Sequence, residues 1–343
     1  MTIHDLLKDL LDGAPFDAMR VETLMDHILQ GACDEAQIGA ALAMLQVRGV
    51  GFEQLLGGAR AMRKHLIPVS TDGLTGAVID TCGTGGAPKT FNISTIAAIV
   101  TAAAGEGRVH VAKHGNRSRT GRGSAELLGK LGVNVDAAPQ VQARCLREAG
   151  VCFCFAIHHH PAAKHVGPAR RSLAFATIFN LLGPLCNPAG AKHQLVGVFD
   201  AKYVEPMART LATLGTVRAM VVHGRDGLDE FTSTGPTLVG HVEGDHVWLE
   251  EMDASHFGVA RTHIETLGVP GLEESVELAR GILEGQIRDA RSEIVILNSA
   301  LALHVAGVVE SVPEGMTCAR AAIDKGRAIE TLCRLAALSH HNV

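Results

Sequence analysis

Three stretches of this sequence gather the residue types that hold anions and hard cations. The first, "DTCGTGGAPKTFNISTIAAIV" (80–100), ends an apolar run at Asp80, puts Gly83, Gly85 and Gly86 in a loop, and opens an apolar segment with Asn92, Ser94 and Thr95. Glycines let backbone N–H groups come close to a ligand, and a helix start adds unpaired donors and positive dipole, so this loop can cradle a phosphate. A tight turn capped by Asn92 or Ser94 is the other reading of the same residues. The second, "VAKHGNRSRTGRGSAELLGKLGVNVD" (111–136), sets Lys113, His114, Arg117, Arg119 and Arg122 among Gly115, Gly121 and Gly123, in a chain of net charge −5. The third, "GRDGLDEFTSTG" (224–235), offers Asp226, Asp229 and Glu230. Clustered carboxylates beside a phosphate site are what Mg²⁺ requires, because that cation takes oxygen ligands and is commonly shared with substrate phosphates. A solvated acidic turn is the alternative.

A fourth stretch, "AIHHHPAAKHVGPARR" (156–171), holds His158, His159, His160 and His165 with Arg170 and Arg171. Three adjacent histidines cannot all face one metal from a regular element, and no Cys or carboxylate flanks them at zinc spacing. One histidine lining a pocket, with an arginine fork reaching a carboxylate, is the expected use. Gly105 and Gly107 precede a strand rather than open a helix, so they do not form a dinucleotide fingerprint.

The elements that must position these loops follow from periodicity. Residues 1 to about 66 read as four short helices with apolar residues at three- and four-residue spacing, and Gly13, Gly31 and Gly49 fall at their ends. "PVSTDGLTG" (68–76) is rich in turn formers and is expected to be a hinge. From residue 77 the runs "AVIDTC", "RVHVA", "VCFCFA", "HQLVGVF" and "VRAMVVHG" read as strands alternating with helices such as "STIAAIVTAAAG" and "AELLGKLG". That alternation predicts an α/β class: a largely parallel sheet with crossover helices on its faces, closed by the helices of the late chain. Glycine-rich loops after neighbouring parallel strands converge at the carboxyl ends of those strands, the common ligand position in open α/β sheets.

Bulk composition narrows the partners. With 343 residues, 47% of them hydrophobic, the chain can fill two domains, and no apolar run reaches the length of a membrane-spanning helix. The start, "MTIHDLLKDLLDG", lacks the basic, unbroken apolar pattern of a signal peptide, and eight scattered cysteines contain no CxxC pair, so a cytoplasmic address with reduced thiols is expected. Lys plus Arg number 31 against 36 Asp plus Glu, with 3% aromatics, which argues against a nucleic-acid binder. The cations need a small anionic partner.

Taken in order, "GTGG…TFNIST", "AKHGNRS", "GSAE.L..LGVN", "HHPAAKHVGPARRSL", "TIFNLLGPLCNPA", "QLVGV" and "HGRDGLDEFT" resemble the anthranilate phosphoribosyltransferases over nearly the whole chain. The resemblance implies transfer of the phosphoribosyl group of 5-phosphoribosyl 1-pyrophosphate to anthranilate with Mg²⁺. It also implies a nucleoside phosphorylase/phosphoribosyltransferase-like fold: a small all-helical N-terminal domain (1–70, joined by a segment near 163–190) and a larger α/β domain (71–343) with a mostly parallel, helix-covered sheet. A homodimer formed through the helical domain and no nucleic-acid or membrane partner are further implications. Matched motif by motif, the donor would be held by Gly83, Gly86, Thr90, Asn92, Ile93, Ser94 and Thr95 from the first loop. The second loop would add Lys113, His114, Gly115, Asn116, Arg117, Ser118, Arg119, Thr120, Gly121 and Ser124. Ser94, Asp229 and Glu230 would bind the metal. Gly83, His114, Asn116, His160 and Arg170 would line the anthranilate path, with Arg170 toward the substrate carboxylate. No catalytic nucleophile is implied, because the aromatic amine is neutral; His114 is the candidate for accepting a proton after attack.

Three departures from the family pattern mark this chain. "GTGGAPKTF" lacks the acid of the family's GTGGDG, is one residue shorter and carries Pro88, which has no N–H to donate. "NRSRTGRGSAE" has Arg119, Thr120 and Gly121 where paired serines are usual, and Ala176 stands where an arginine often precedes TIFN. Lys89 and Arg119 are gained near the phosphates, which reads as compensation. The competing readings are a related transferase or phosphorylase with another acceptor, and a non-catalytic nucleic-acid-binding relative on the same fold.

Overall fold

A computed structural model describes residues 1–86, 90–118 and 121–341. The chain opens with α1 (Ile3–Leu11), α2 (Ala18–Leu29), α3 (Glu35–Arg48) and α4 (Phe52–Lys64). Thr2, Asp17 and Asp34 cap the first three by accepting backbone N–H groups of the first turn, which satisfies donors that have no partner inside the helix. Gly13, Gly31 and Gly49 follow the first three helices with φ of 73°, 74° and 93°, the left-handed backbone that ends a helix cheaply only in glycine. Helices α2 and α4 pack closely because Gly57 has no side chain: a Cβ there would stand 2.3 Å from the Ala18 carbonyl oxygen.

The second part runs β1 (Ala77–Gly83), α5 (Ile93–Gly105), β2 (Val109–Gly115), α6 (Ser124–Lys130), α7 (Pro139–Ala149), β3 (Val151–Phe155), α8 (Ala156–His159), α9 (Gly167–Leu173), α10 (Phe179–Leu182), β4 (His193–Gly197), α11 (Val204–Thr213), β5 (Arg218–Gly224), β6 (Pro236–Glu243), β7 (His246–Asp253), α12 (Leu272–Leu283), α13 (Ala290–Val305), α14 (Val312–Asp324) and α15 (Arg327–Ser339). The seven strands lie in the order β3-β2-β1-β4-β5-β6-β7. Strands β1 to β5 pair in parallel, and β6 and β7 add an antiparallel hairpin. All five expected strands are present; the hairpin is an addition.

Register matters here. The β1–β2 ladder ends at Ile79↔Val111, whereas β1 continues along β4 to Gly83↔Gly197 and β2 continues along β3 to Gly115↔Phe155. The sheet therefore splits between β1 and β2 at the carboxyl ends of the two strands that feed the glycine loops.

Two apolar clusters hold the fold. One packs β1 to β3 against α5 and α13 to α15, and α5 and α13 are buried on nearly every side, as their all-round apolar sequences require. The other joins the four N-terminal helices to α9, α10, α11 and the outer faces of β4 and β5 through Val166, Ala169, Leu181, Leu182 and Met207. Within the expected hinge (68–76) the Val69 N–H donates to the Pro188 carbonyl, and just before it the Ile67 N–H donates to the His159 carbonyl. Cys152 and Cys154 share one buried face of β3, with sulfurs 3.7 Å apart, as small core residues.

Candidate active site

The two glycine loops leave β1 and β2 side by side, and side chains tie them together. Asn92 sits at the N-cap of α5 but caps nothing with its side chain; its amide donates to the Arg122 carbonyl at 3.1 Å and accepts from the Ser275 hydroxyl at 3.0 Å. Thr95 donates to the Ser124 hydroxyl at 2.9 Å. The capped-turn reading of Asn92 thus gives way to one in which it and Thr95 fix one loop against the other. Gly85 and Gly86 adopt φ of 65° and 95°, conformations that only glycine takes without strain. The Thr90 hydroxyl turns to the Phe91 carbonyl, and Ile93 is core.

Into this junction comes the acidic turn. Asp229 Oδ2 accepts the Gly85 N–H at 3.0 Å, and Glu230 Oε1 accepts the Ser94 N–H at 3.0 Å. A Cβ on Gly83 would stand 2.8 Å from Asp229 Oδ2, and one on Gly197 would fall 1.7 Å from the Asp229 carbonyl oxygen, so both glycines make room for the turn. Asp226, the third acid, instead accepts from the Thr232 hydroxyl at 2.5 Å, from the Thr234 hydroxyl and from the Leu228 N–H, which makes it the keystone of the turn rather than a partner of the pair.

Lys113 lies beneath, 3% exposed, donating to the Thr81 carbonyl and approaching the Ser94 hydroxyl at 3.4 Å. Burial lowers its pKa, opposed by Asp80, Glu230 and Asp229. The carboxylates show the converse: burial raises Asp229, pushes Glu230 up to about 7 with help from Asp229, and pushes Asp80 up to about 6. Three buried carboxylates face one buried ammonium, and a cation bound beside them would favour their ionised forms. No group of three or more His, Cys, Asp or Glu able to hold a metal exists among the described residues. Asp229, Glu230 and the Ser94 hydroxyl are oxygen-only groups that could hold a hard cation such as Mg²⁺ shared with substrate oxygens.

On the second loop, Gly115 packs under Phe153, whose ring a Cβ would meet at 2.6 Å. Asn116 is exposed and accepts the Arg117 N–H at 2.8 Å, and the Arg117 guanidinium lies over the Phe155 ring at 5.5 Å. The Ser118 hydroxyl accepts the Arg122 N–H at 3.2 Å, and Gly121 turns with φ 70°. Arg122 donates to the Val269 carbonyl at 2.6 Å. Pro88, Lys89, Arg119 and Thr120 lie outside the described residues.

The three histidines point three ways. His158 meets Asp136 at the surface, His159 bridges the Ile67 carbonyl and Gln142, and His160 meets His114, Nε2 to Nε2 at 3.2 Å. The other His114 ring nitrogen lies 3.0 Å from the Gly183 carbonyl, which fixes the proton on Nδ1 and leaves Nε2 to accept from His160. Both His114 nitrogens are engaged, so the free acceptor of the pair is His160 Nδ1, buried with no hydrogen-bond partner among the described residues. Burial lowers His114 to about 3 and His160 to about 4, so both rings are neutral. Arg170 on α9 is half-buried, 5.5 Å over the Phe179 ring and 3.4 Å from the Asn180 amide oxygen.

Comparison with known proteins places this geometry. The helical bundle domain of the glycosyl transferase family matches residues 4–66, and the a/b domain of that family matches residues 75–329. An anthranilate phosphoribosyltransferase from Rubrobacter xylanophilus is 43% identical over 98% of this chain and 97% of its own length. The chain belongs to the anthranilate phosphoribosyltransferase family. It is a transferase of the glycosyl transfer class. A family member from Ralstonia nicotianae is 46% identical over 91% of this chain and 89% of its own. The crystal structure of the family member from Thermus thermophilus superposes with a TM-score of 0.91 at 36% identity, covering 98% of this chain and all of that one (100%). The Saccharomyces cerevisiae family member, in complex with PRPP and Mg, shares the fold at a TM-score of 0.88 and 24% identity, over 98% and 97% of the two chains. These relatives do not favour the nucleic-acid-binding reading.

Two features escaped the sequence reading. Asp80 and Asn187 form a buried pair, Asn187 Nδ2 donating to Asp80 Oδ2 at 2.7 Å, and the carboxylates of the acidic turn sit on the loop amides themselves. The signal for the first was a charged residue inside an apolar strand run.

Proposed function

We propose that this chain transfers the phosphoribosyl group of 5-phosphoribosyl 1-pyrophosphate to the amine of anthranilate, releasing pyrophosphate and forming N-(5-phosphoribosyl)anthranilate in tryptophan biosynthesis. The observation that carries the reading is the acidic turn seated on the first glycine loop through Asp229–Gly85 and Glu230–Ser94, with the second loop tied to the first through Asn92–Arg122 and Thr95–Ser124. The donor is held by the loop residues named above, from Gly83 to Thr95 and from Lys113 to Ser124. Ser94, Asp229 and Glu230 bind Mg²⁺, which, when bound, neutralises the departing pyrophosphate and steadies its charge. Gly83, Asn116, His160 and Arg170 receive anthranilate, and the Arg170 fork, held against Phe179 and Asn180, suits a carboxylate.

The chemistry asks for positioning and charge absorption rather than a nucleophile. The neutral amine attacks the ribosyl carbon as the bond to pyrophosphate lengthens, and the protein aligns the two substrates. The proton leaves the nitrogen after attack; His160 Nδ1 is a neutral acceptor with its lone pair unused. The Lys113 ammonium, supported by Asp80, Glu230 and Asp229 against the cost of burial, would act on the pyrophosphate oxygens with little water between.

The same reading divides the chain into a helical domain of residues 1–70, joined through residues near 163–190, and an α/β domain of residues 71–343. The packing of α9 on α3 and of α10 on α4 supports the joining segment. A homodimer through the helical domain is part of the proposal, supported by exposed Leu11, Met19 and Val47 on that domain, and light scattering tests it. Cytoplasmic residence is the remaining part, in keeping with eight free cysteines. The deciding experiment mixes purified protein with anthranilate, phosphoribosyl pyrophosphate and Mg²⁺ and follows anthranilate fluorescence. No Mg²⁺-dependent loss of signal overturns the function.

A further inference from the structure

The sheet splits between β1 and β2, and three backbone groups on the facing edges are taken up by side chains. Past the last ladder pair, Ile79↔Val111, three side chains take over the facing edges. Asp80 Oδ1 accepts the His114 N–H at 3.0 Å, Asn187 Nδ2 donates to the Ala112 carbonyl at 2.8 Å, and Lys113 Nζ donates to the Thr81 carbonyl. Asp80 and Asn187 are joined to each other at 2.7 Å, and Asn187 Oδ1 accepts the Ala189 N–H at 2.9 Å. Asp80 is 0% exposed, Asn187 5% and Lys113 3%. A continued ladder would hold the strands about 4.8 Å apart and bring the two loops together. The polar side chains stand between the strands instead. Every hydrogen-bonding group of the Asp80–Asn187 pair named here has a partner, so the arrangement is specified rather than loose.

We propose that Asp80, held by Asn187, is a positioning residue that wedges β1 from β2 and so sets the separation of the two anion-binding loops. It touches no substrate: the 83–86 loop follows its own strand, the 116–123 loop follows the strand whose His114 N–H it grips, and the donor lies across both. This rests on the donor site described under Proposed function.

Asp80→Asn keeps size and shape while replacing one acceptor oxygen with an N–H₂ that faces either the His114 N–H or the Asn187 amide, donor against donor. The test compares wild type, Asp80→Asn and Asn187→Ala by calorimetry with Mg²⁺ and pyrophosphate, and by steady-state kinetics. The expected result is a pyrophosphate Kd and donor KM raised about 10- to 100-fold, the usual size of a lost supporting contact, with a clearly smaller rise in anthranilate KM, since Gly83 and Asn116 lie on the same loops while His160 and Arg170 do not. Unchanged pyrophosphate binding in Asp80→Asn overturns the proposal. So does an equal loss toward both substrates or a fall in kcat alone with a lowered melting temperature, the pattern of a merely structural residue. If Asp80→Asn does not fold, Asn187→Ala is judged by the same criteria. Wild type that binds Mg²⁺ and pyrophosphate but leaves anthranilate untouched overturns the acceptor assignment and leaves the wedge testable by calorimetry; wild type that binds no pyrophosphate overturns both.

Discussion

Alanine at Gly83 perturbs the acidic turn without altering either acid. The added Cβ would stand 2.8 Å from Asp229 Oδ2, so the carboxylate must retreat by about 0.6 Å to reach ordinary contact at 3.4 Å. Gly83 is exposed and its φ is not positive, so the backbone accepts alanine, and stability should change by only about 0.5 kcal/mol in either direction. Function should not be spared. The retreat breaks the 3.0 Å bond from the Gly85 N–H and moves one proposed metal ligand off its place, which predicts a loss of about 10- to 100-fold in Mg²⁺-dependent donor use. Gly197→Ala is the hard counterpart, because its Cβ would fall 1.7 Å from the Asp229 carbonyl oxygen and 2.4 Å from its carbon. Backbone cannot swing aside as a side chain does, and overpacking of this kind costs about 1–3 kcal/mol or more. The assay is a Mg²⁺ titration of initial rate at fixed donor, paired with thermal unfolding of each variant. A Gly83→Ala enzyme whose half-saturating Mg²⁺ and donor KM stay within about twofold of wild type refutes the placement of Asp229 in the metal site.

Three further outcomes are expected. The unfolded chain releases the Glu230 proton near 4.5 and the folded chain near 7, so between those values the native state holds more protons and its stability falls as pH rises; Asp80, pushed up to about 6, acts in the same direction. His114 and His160, lowered to about 3 and about 4, act in the opposite direction below the ordinary histidine value of 6.5. The readout is therefore the melting temperature of the metal-free protein relative to Glu230→Gln. The difference should move against the wild type as pH rises from 4.5 to about 7, and a difference that stays flat or moves the other way contradicts the raised Glu230. Arg170→Lys keeps the charge but loses the planar fork, so anthranilate KM should rise about tenfold with donor KM unchanged, read from steady-state kinetics. With His114 and His160 held neutral, His160→Gln should raise anthranilate KM while leaving the acidic limb of the pH–rate profile in place, and a displaced limb would assign that limb to the histidine pair.

The helices and parallel strands were legible because their apolar residues repeat at the helical period or form short apolar runs, and Gly13, Gly31 and Gly49 announced their own left-handed turns. The hairpin of β6 and β7 was not read. Its turn at Gly244 and Asp245 and the apolar residues of "PTLVGHVE" were available, but "HVWLEEMD" carries three acids and its exposed edge shows no clean alternation. Motifs named the residues of the candidate site, yet not their couplings. That Asn92 leaves its own helix start to hold Arg122, or that Asp80 and Asn187 meet across 107 positions, depends on tertiary contacts that no local pattern encodes. The role of Asp226 illustrates the same limit: residue type suggested ligand binding, and packing assigned it to the turn.

The amides of Gly85 and Ser94 carry the protein's own carboxylates in the positions where phosphate oxygens would bind. Donor binding at the proposed site would thus be an exchange of anions rather than the filling of a bare cradle. Asp229 and Glu230 stand in for the ligand, keeping the loop amides satisfied in its absence. A donor arriving without a cation meets amides already taken and two like charges beside them. On the proposed donor site, a cation that drew the carboxylates off those amides would free them for the donor, so cation and donor would bind together. Linkage makes this reciprocal: whatever factor Mg²⁺ adds to donor affinity, the donor returns to Mg²⁺.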